Sequence, residues 1–398
     1  VLVYKLIEWM QGGKEMANRG DLLKKVRQSL PVVQKLVYMN TGSVGPLSQF
    51  SIQAVQETQQ AELEYGRIGG KAMQHRKKVV AAVRKSVAGL INADPEEIAL
   101  TRSTTEGINL VITGFKWQPG DEVITTDVEH AAILLPLFVL RQRQGVVIRT
   151  APVGGNCIAD IKAQINPRTR LIAVSHVSYS TGERLPVGEI AEAASRHGIP
   201  VLVDGAQSAG AIPVDVQLLG VDYYSLPGQK WLCGPQGVGA LYIRKERLDS
   251  LAPALISLSA VADFDPRGDF RWHANAHRFE SGLANLPTLA GQEASIDWLT
   301  NDVGLGWVFD RTRELGERIR RELAAVPGVT VVAPAQVAGL TTFRLAGADP
   351  QQLVEYLAAQ GIIIRAIKEL NSVRASVGFF NTEDEVDSLV RAVAGFKA

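Results

Sequence analysis

The sequence predicts an α/β protein: a large domain on a mostly parallel seven-stranded sheet, followed by a smaller α+β domain. Three observations predict it. Short β-branched runs alternate with helix-patterned stretches between about residues 97 and 243, and strand-then-helix repetition is the mark of a parallel sheet with crossover helices. The connection between the last two runs is rich in Gly and Pro and too short for a crossover helix, which makes that pair antiparallel. After about residue 285 the texture changes to long helical patterns separated by isolated short strands.

In chain order, residues 1–30 form an N-terminal segment. Its start, VLVYKLIEWMQGG, is apolar but interrupted by Lys5 and Glu8, with no basic region ahead of it, so it does not read as a targeting signal. Met16 reads as an alternative start, and residues 1–15 as an artefact ahead of it. The large domain, 31–285, carries strands at Glu97–Leu100, Glu122–Thr125, Val146–Val153, Arg170–Val177, Pro200–Val203, Asp222–Leu226 and Val238–Ile243. Helical patterns at Gly107–Trp117, Ala131–Arg143 and Val187–His197 fall between the earlier strands. The small domain, 286–398, opens on a helical pattern from Gly291 to Ala325, broken near Val303–Gly306. Strands at Val329–Val332 and Thr341–Leu345, a helix from Pro350, and strands at Ile362–Ala366 and Val373–Val377 follow. Asn381-Thr382-x-x-Glu385 gives the closing helix a capping box. With no long linker, the two domains are expected to pack closely around a cleft.

Composition narrows the function. The 398 residues suit roughly two or three domains. Forty-two Lys and Arg against 41 Asp and Glu give a net charge of +1, which lacks the electrostatic footprint of a nucleic-acid or anionic-membrane binder. The longest apolar run, Ala131 to Leu140, contains Pro136 and falls well short of the ~18 residues that suggest a span. Two cysteines, Cys157 and Cys233, make no disulfide framework and fit a reducing, cytoplasmic compartment.

Several residues could carry chemistry. Val201-Leu202-Val203-Asp204 is an apolar strand ending in a carboxylate, followed by Gly205-Ala206-Gln207. The carboxyl end of a central strand is where open α/β sheets bind ligands, although an Asp there also caps turns. Lys230 lies in the otherwise uncharged segment Pro227-Gly228-Gln229-Lys230-Trp231. Burial lowers a lysine's pKa and frees a neutral amine for Schiff-base chemistry; the alternative is a lysine snorkelling from a surface loop. Ser103-Thr104-Thr105-Glu106 combines a capping box with a hydroxyl-rich helix N-terminus, a ready anion site. His130 ends another strand-to-helix turn, as a cap or a catalytic group. Arg365 and Arg374 lie on consecutive small-domain strands, where a facing pair suits a carboxylate. Arg76-Lys77-Lys78 reads as a solvated helix face. Metal ligands are poorly supported, since His273 and His277 have no further ligands nearby.

Together these motifs resemble the class V aminotransferase family of fold-type I pyridoxal-phosphate (PLP) enzymes, which includes cysteine desulfurases and cystine C–S lyases. The resemblance runs from Tyr38-Met39-Asn40 to the C-terminus. It is carried by Ser103-Thr104-Thr105-Glu106-Gly107, Glu129-His130, Ser175-His176-Val177, Asp204-Gly205-Ala206-Gln207, Lys230 with Gly234-Pro235, Arg278-Phe279-Glu280 and Arg374-Ala375-Ser376. It implies pyridoxal 5'-phosphate held by Lys230 as an internal aldimine, with Asp204 on the pyridinium nitrogen, His130 stacked on the ring and Gln207 at the phenolic oxygen. It further implies phosphate contacts from Thr104 and Thr105, a substrate carboxylate on Arg374 with Arg365, and a homodimer with the active site at the interface. The sequence departs from the family pattern at Gln229 (usually His), Pro227 (usually Ser or Thr), Leu283 (usually Thr) and Tyr179 (Asn in desulfurases). The phosphate cup is therefore altered, with Gln229 as a candidate cofactor contact.

Desulfurases need a cysteine on a mobile segment between the two arginine positions. Here the interval Ala366-Ile367-Lys368-Glu369-Leu370-Asn371-Ser372-Val373 is short and has none. The favoured reading is therefore a lyase that eliminates the β-sulfur of cysteine or cystine to give pyruvate, ammonia and a sulfur product. A transaminase is the rival. Desulfurase, epimerase and a non-catalytic PLP-binding protein rank below both.

Overall fold

The computed structural model describes residues 20–282, 284–332 and 338–397. Met16, with the rest of the stretch ahead of residue 20, and Leu283 lie outside the described residues. Helix α1 covers residues 20–28. Strand β1 (Val37–Tyr38) leads to helices α2 (Gln49–Tyr65) and α3 (Gly70–Ile91). The expected alternation follows: β2 (Ile98–Thr101), α4 (Thr104–Gly114), β3 (Glu122–Thr126), α5 (Ala131–Gln144), β4 (Val147–Ala151) and α6 (Cys157–Gln164). It continues through β5 (Thr169–Ser175), α7 (Val187–Ser195), β6 (Val201–Asp204), α8 (Val216–Leu219), β7 (Tyr223–Pro227) and β8 (Gly239–Ile243).

These strands form one seven-stranded sheet in the order β2-β8-β7-β6-β5-β3-β4. Strand β8 is antiparallel to β7 and to β2, and every other neighbouring pair is parallel. The short Gly/Pro connection thus has the consequence expected of it. The strand order reverses between β3 and β5, the switch point at which open sheets leave a crevice beyond their carboxyl ends. Side-chain alternation fixes the layers. Val201 and Val203 enter one core with Ile190 of α7 and Val87 of α3, whereas Leu202 enters the other with Val111 of α4 and Ile133 of α5. Helices therefore cover both faces, and Asp204 is left at the rim.

One expected element starts elsewhere, and one element was not expected. Helix α4 begins at Thr104, not Gly107, because Ser103 is its N-cap and accepts from Glu106 N–H at 3.1 Å. The box is not reciprocal: the Glu106 carboxylate accepts from the Arg102 N–H at 2.6 Å and pairs with the Arg102 guanidinium. A hairpin of β9 (Val261–Phe264) and β10 (Phe270–Trp272) was not expected, since its apolar side chains remain exposed.

Beyond it come α9 (Leu286–Asp297), a π-helical stretch Trp298–Val303, and α10 (Leu305–Ala324), with the predicted break at Gly304. A four-stranded antiparallel sheet β11-β12-β15-β14 is built from β11 (Val329–Val331), β12 (Leu340–Leu345), β14 (Arg365–Ile367) and β15 (Ser372–Ser376). The single strand expected at Ile362–Ala366 is two. Its first part, β13 (Ile362–Ile363), pairs in parallel with β1, and only β14 joins β15. Helices α11 (Pro350–Ala359) and α12 (Glu383–Gly395) pack on this sheet, and Thr382 with Glu385 forms the expected capping box. No helix among the described residues is long and apolar enough to cross a membrane.

Candidate active site

Every residue singled out for the site borders one cavity of about 240 Å³ beyond the carboxyl ends of the central strands. Asp204 ends β6, is 4% exposed, and accepts the Ala206 N–H at 2.8 Å. Burial pushes its carboxyl above the usual range, opposed by Lys230, the Ala206 N–H and His130. Lys230 follows β7 on the tight loop through Gly228, and its amine has no hydrogen-bond or ion-pair partner among the described residues. Burial pushes that amine down to about 8; Asp204 opposes the shift, while Arg374 and Arg365 add to it. Gly45 lets the N-terminal loop lie against this lysine: its N–H donates to Gln229 O at 2.8 Å, and a Cβ there would stand 1.9 Å from the Lys230 carbonyl oxygen.

His130 is the N-cap of α5, its Nδ1 accepting from the Ala132 N–H at 3.1 Å. The bond requires an unprotonated Nδ1. Burial lowers the pKa of the imidazole, and Lys230 adds to this. Tyr179 meets the ring edge-on, with centroids 4.8 Å apart. Gln207 is held at both ends, donating to Gly42 O at 2.8 Å and accepting from Trp231 Nε1 at 3.0 Å. At the N-terminus of α4, Thr104 Oγ1 is buried without a partner, as is Gln229 Oε1, while Thr105 is exposed at the rim. Pro227 ends β7 in register with Gly239 and does not border the cavity.

The small sheet supplies the cations. Arg374, fully buried on β15, donates to Tyr179 O at 2.5 Å and to Ser43 Oγ at 3.2 Å, leaving Nε unpartnered. Burial, with Arg365 adding, pushes its guanidinium down to about 9, still a cation at neutral pH. Arg365, exposed on β14, donates to the same hydroxyl at 3.3 Å. Ser43 and Gly42 were missed by sequence reasoning; the Gly/Ser-rich stretch Asn40-Thr41-Gly42-Ser43-Val44-Gly45-Pro46 was the available signal.

Other motif residues serve the framework. Glu280 pairs with the buried Arg84 at 2.6 Å and accepts the Leu100 N–H at 2.8 Å. His176, pushed down to about 3 by burial and then Arg184, is a neutral ring facing the Tyr224 hydroxyl at 3.1 Å. Glu129, which precedes His130 in the chain, is buried. Both cysteines are buried; burial pushes the Cys157 thiol up to about 11 and raises the Cys233 thiol too. No group of His, Cys, Asp or Glu among the described residues is arranged to hold a metal ion.

A family model described as aminotransferase class-V matches residues 48–389. A cysteine desulfurase from Cronobacter sakazakii is 33% identical over 401 residues, covering 92% of this chain and 96% of the relative. Among solved structures, the complex of the cystine C–S lyase C-DES with its reaction product cysteine persulfide superposes with a TM-score of 0.89 at 30% identity, covering 93% of this chain and 100% of that one. A C-DES variant with glycine covalently linked to the PLP cofactor matches equally, at 0.89 and 30%, covering 93% of this chain and 99% of that one.

Proposed function

Because the chain belongs to the class-V aminotransferase family, we propose that it is a pyridoxal 5'-phosphate-dependent lyase cleaving the C–S bond of cysteine or cystine. The site's own residues fit the cofactor. Thr104 Oγ1, Gln229 Oε1 and Arg374 Nε are buried on the cavity wall without partners, and the cavity offers an amine, a carboxylate and a hydroxyl-lined helix N-terminus. These suit an aldehyde, a protonated ring nitrogen and a phosphate. Lys230 would hold the aldehyde carbon, Asp204 a proton on the ring nitrogen, Gln207 the phenolic oxygen, and Thr104, Thr105 and Gln229 the phosphate, with His130 bordering the ring. Bound there, the cofactor supplies an electron sink for charge developing on the substrate's Cα.

The remaining work falls to the chain. Arg374 and Arg365 bind the substrate carboxylate and orient the Cα–H bond. Lys230, neutral more often than an exposed lysine, takes the Cα proton onto Nζ as general base. The Cβ–S electron pair leaves with sulfur, and water converts the three-carbon remnant to pyruvate and ammonia. Cystine plus water thus gives pyruvate, ammonia and cysteine persulfide; cysteine plus water gives pyruvate, ammonia and hydrogen sulfide.

The observation that carries lyase over sulfur transfer to the protein is the β14–β15 hairpin. It closes through Lys368–Leu370 and Asn371 with no cysteine, and both thiols of the chain are buried elsewhere. On this reading the protein is a cytoplasmic homodimer acting on a small amino acid, and its 42 to 41 charge balance supports a lack of nucleic-acid and membrane partners. It comprises an N-terminal segment (1–30), a large cofactor-binding domain (31–285) and a small domain (286–398). Incubation with cystine and no keto acid is expected to release stoichiometric pyruvate. Amino-group transfer without pyruvate would replace this reading with a transaminase.

A further inference from the structure

Glu129 sits where the sheet's strand order reverses, between the carboxyl ends of β3 and β5. It is 3% exposed and has no ion-pair partner among the described residues. An isolated carboxyl at this depth is destabilising unless hydrogen bonds compensate. Three do: Oε1 accepts from the Thr126 hydroxyl at 2.5 Å and the Ser175 N–H at 3.0 Å, and Oε2 meets the Ser175 hydroxyl at 2.6 Å. Thr126 ends β3 and Ser175 ends β5. Ser175 is in register with Asp204 on β6, and the residue after Glu129 is His130, the cap of α5. One carboxyl therefore ties together the turn that presents the imidazole and the strand beside the aspartate.

We propose that Glu129 is a positioning residue that clamps the carboxyl ends of β3 and β5 and so fixes the His130 imidazole relative to Asp204. Its consequence for turnover rests on the cofactor reading; the clamp itself belongs to the cofactor-free protein. Burial pushes the carboxyl up to about 7, with Asp204 adding and the Ser175 and Thr126 hydrogen bonds opposing. The Ser175 hydroxyl donates to Oε2 of the ionised carboxylate, and in the neutral acid the Oε2 proton donates to Ser175 Oγ instead. Glu129→Gln reproduces that arrangement, with an amide NH2 in place of the acid proton, whereas Glu129→Ala removes the clamp.

The test is hydrogen exchange at the Ala132 and Ser175 amides of the cofactor-free protein. Both N–H groups are held by the assembly, one by His130 Nδ1 and the other by Glu129. Glu129→Ala is expected to speed their exchange by about tenfold or more, with Glu129→Gln within about threefold of wild type. In the loaded protein, Glu129→Ala is expected to change the cofactor's circular-dichroism band and lower kcat by roughly 10- to 100-fold. KM for cystine stays within about threefold, since the arginines are untouched. Unchanged exchange in Glu129→Ala, or a Glu129→Gln protein as damaged as Glu129→Ala, overturns the proposal. If Glu129→Ala does not fold, Ser175→Ala carries the test: Ala132 exchange should rise several-fold, and no rise overturns the proposal. A wild-type protein that takes up no pyridoxal phosphate would sink the cofactor reading alone and leave the exchange comparison standing.

Discussion

Arg365 and Arg374 stand directly opposite each other on neighbouring antiparallel strands, and both donate to the Ser43 hydroxyl, at 3.3 and 3.2 Å. Among the described residues, neither guanidinium has a carboxylate partner. Like charges in direct cross-strand register are destabilising, and on the proposed function the substrate carboxylate would relieve that repulsion. Removing the exposed member should therefore weaken binding without weakening the fold. Arg365→Ala is expected to raise KM for cystine by about tenfold, as for one lost charged hydrogen bond, with kcat changed far less. The cofactor-free variant is expected to melt no lower than wild type. Steady-state kinetics and a thermal melt check both halves, and a lower melting temperature with KM unchanged would refute the assignment.

Lys230 gives a prediction with a defined sign. An amine pushed down to about 8 is roughly one-tenth neutral at pH 7, and the neutral form is the one that attacks an aldehyde. The rate of pyridoxal-phosphate uptake by cofactor-free protein should rise about tenfold per pH unit below 8 and level off above it. Lys230→Ala should show no absorbance of a covalently held cofactor. A rate still rising tenfold per unit at pH 10 would show an unshifted lysine.

Much of this site was legible in the sequence because its chemistry is attached to strand ends. Asp204 follows three apolar strand residues, and Lys230 follows the next strand, so strand and position could be read together. The antiparallel β7–β8 pair was legible from connection length alone. What could not be read was set by contacts distant in sequence. Ser43 meets Arg374 across 331 residues and Arg365 across 322. The split of Ile362–Ala366 into β13 and β14 depends on β1, whose two residues give no pattern of their own. Glu129 looked like a neighbour of His130, and its grip on Ser175 spans 46 residues.

The cysteines distinguish release of sulfur from its capture by the protein. Burial leaves the Cys157 thiol near 11 and raises that of Cys233, so neither is an available thiolate at neutral pH. The double substitution Cys157→Ala with Cys233→Ala is expected to keep pyruvate release from cystine within about twofold, since neither thiol takes part in the eliminating step. A loss of about 100-fold in a variant that still binds cofactor would restore a sulfur-accepting role to one of them.

Glu129 also leaves a signature in stability. Its carboxyl sits near 7 in the folded protein, against about 4.3 for an unperturbed glutamate. The folded state therefore binds more protons than the unfolded state between those values, and stability falls as pH rises through that window. The contribution is fully present below about pH 4 and lost above about pH 7. Asp204, the charged neighbour that adds to the shift, contributes to this difference, because its repulsion acts only on an ionised Glu129. Glu129→Gln carries no titrating proton at this position and should escape the loss. Its urea midpoint relative to wild type is expected to rise from pH 5 to about pH 7 and to level off by pH 8, by a few kcal/mol at most after conversion. A difference that stays flat over that range would mean that Glu129 is already ionised at pH 5 and that Oε2 accepts from, rather than donates to, the Ser175 hydroxyl.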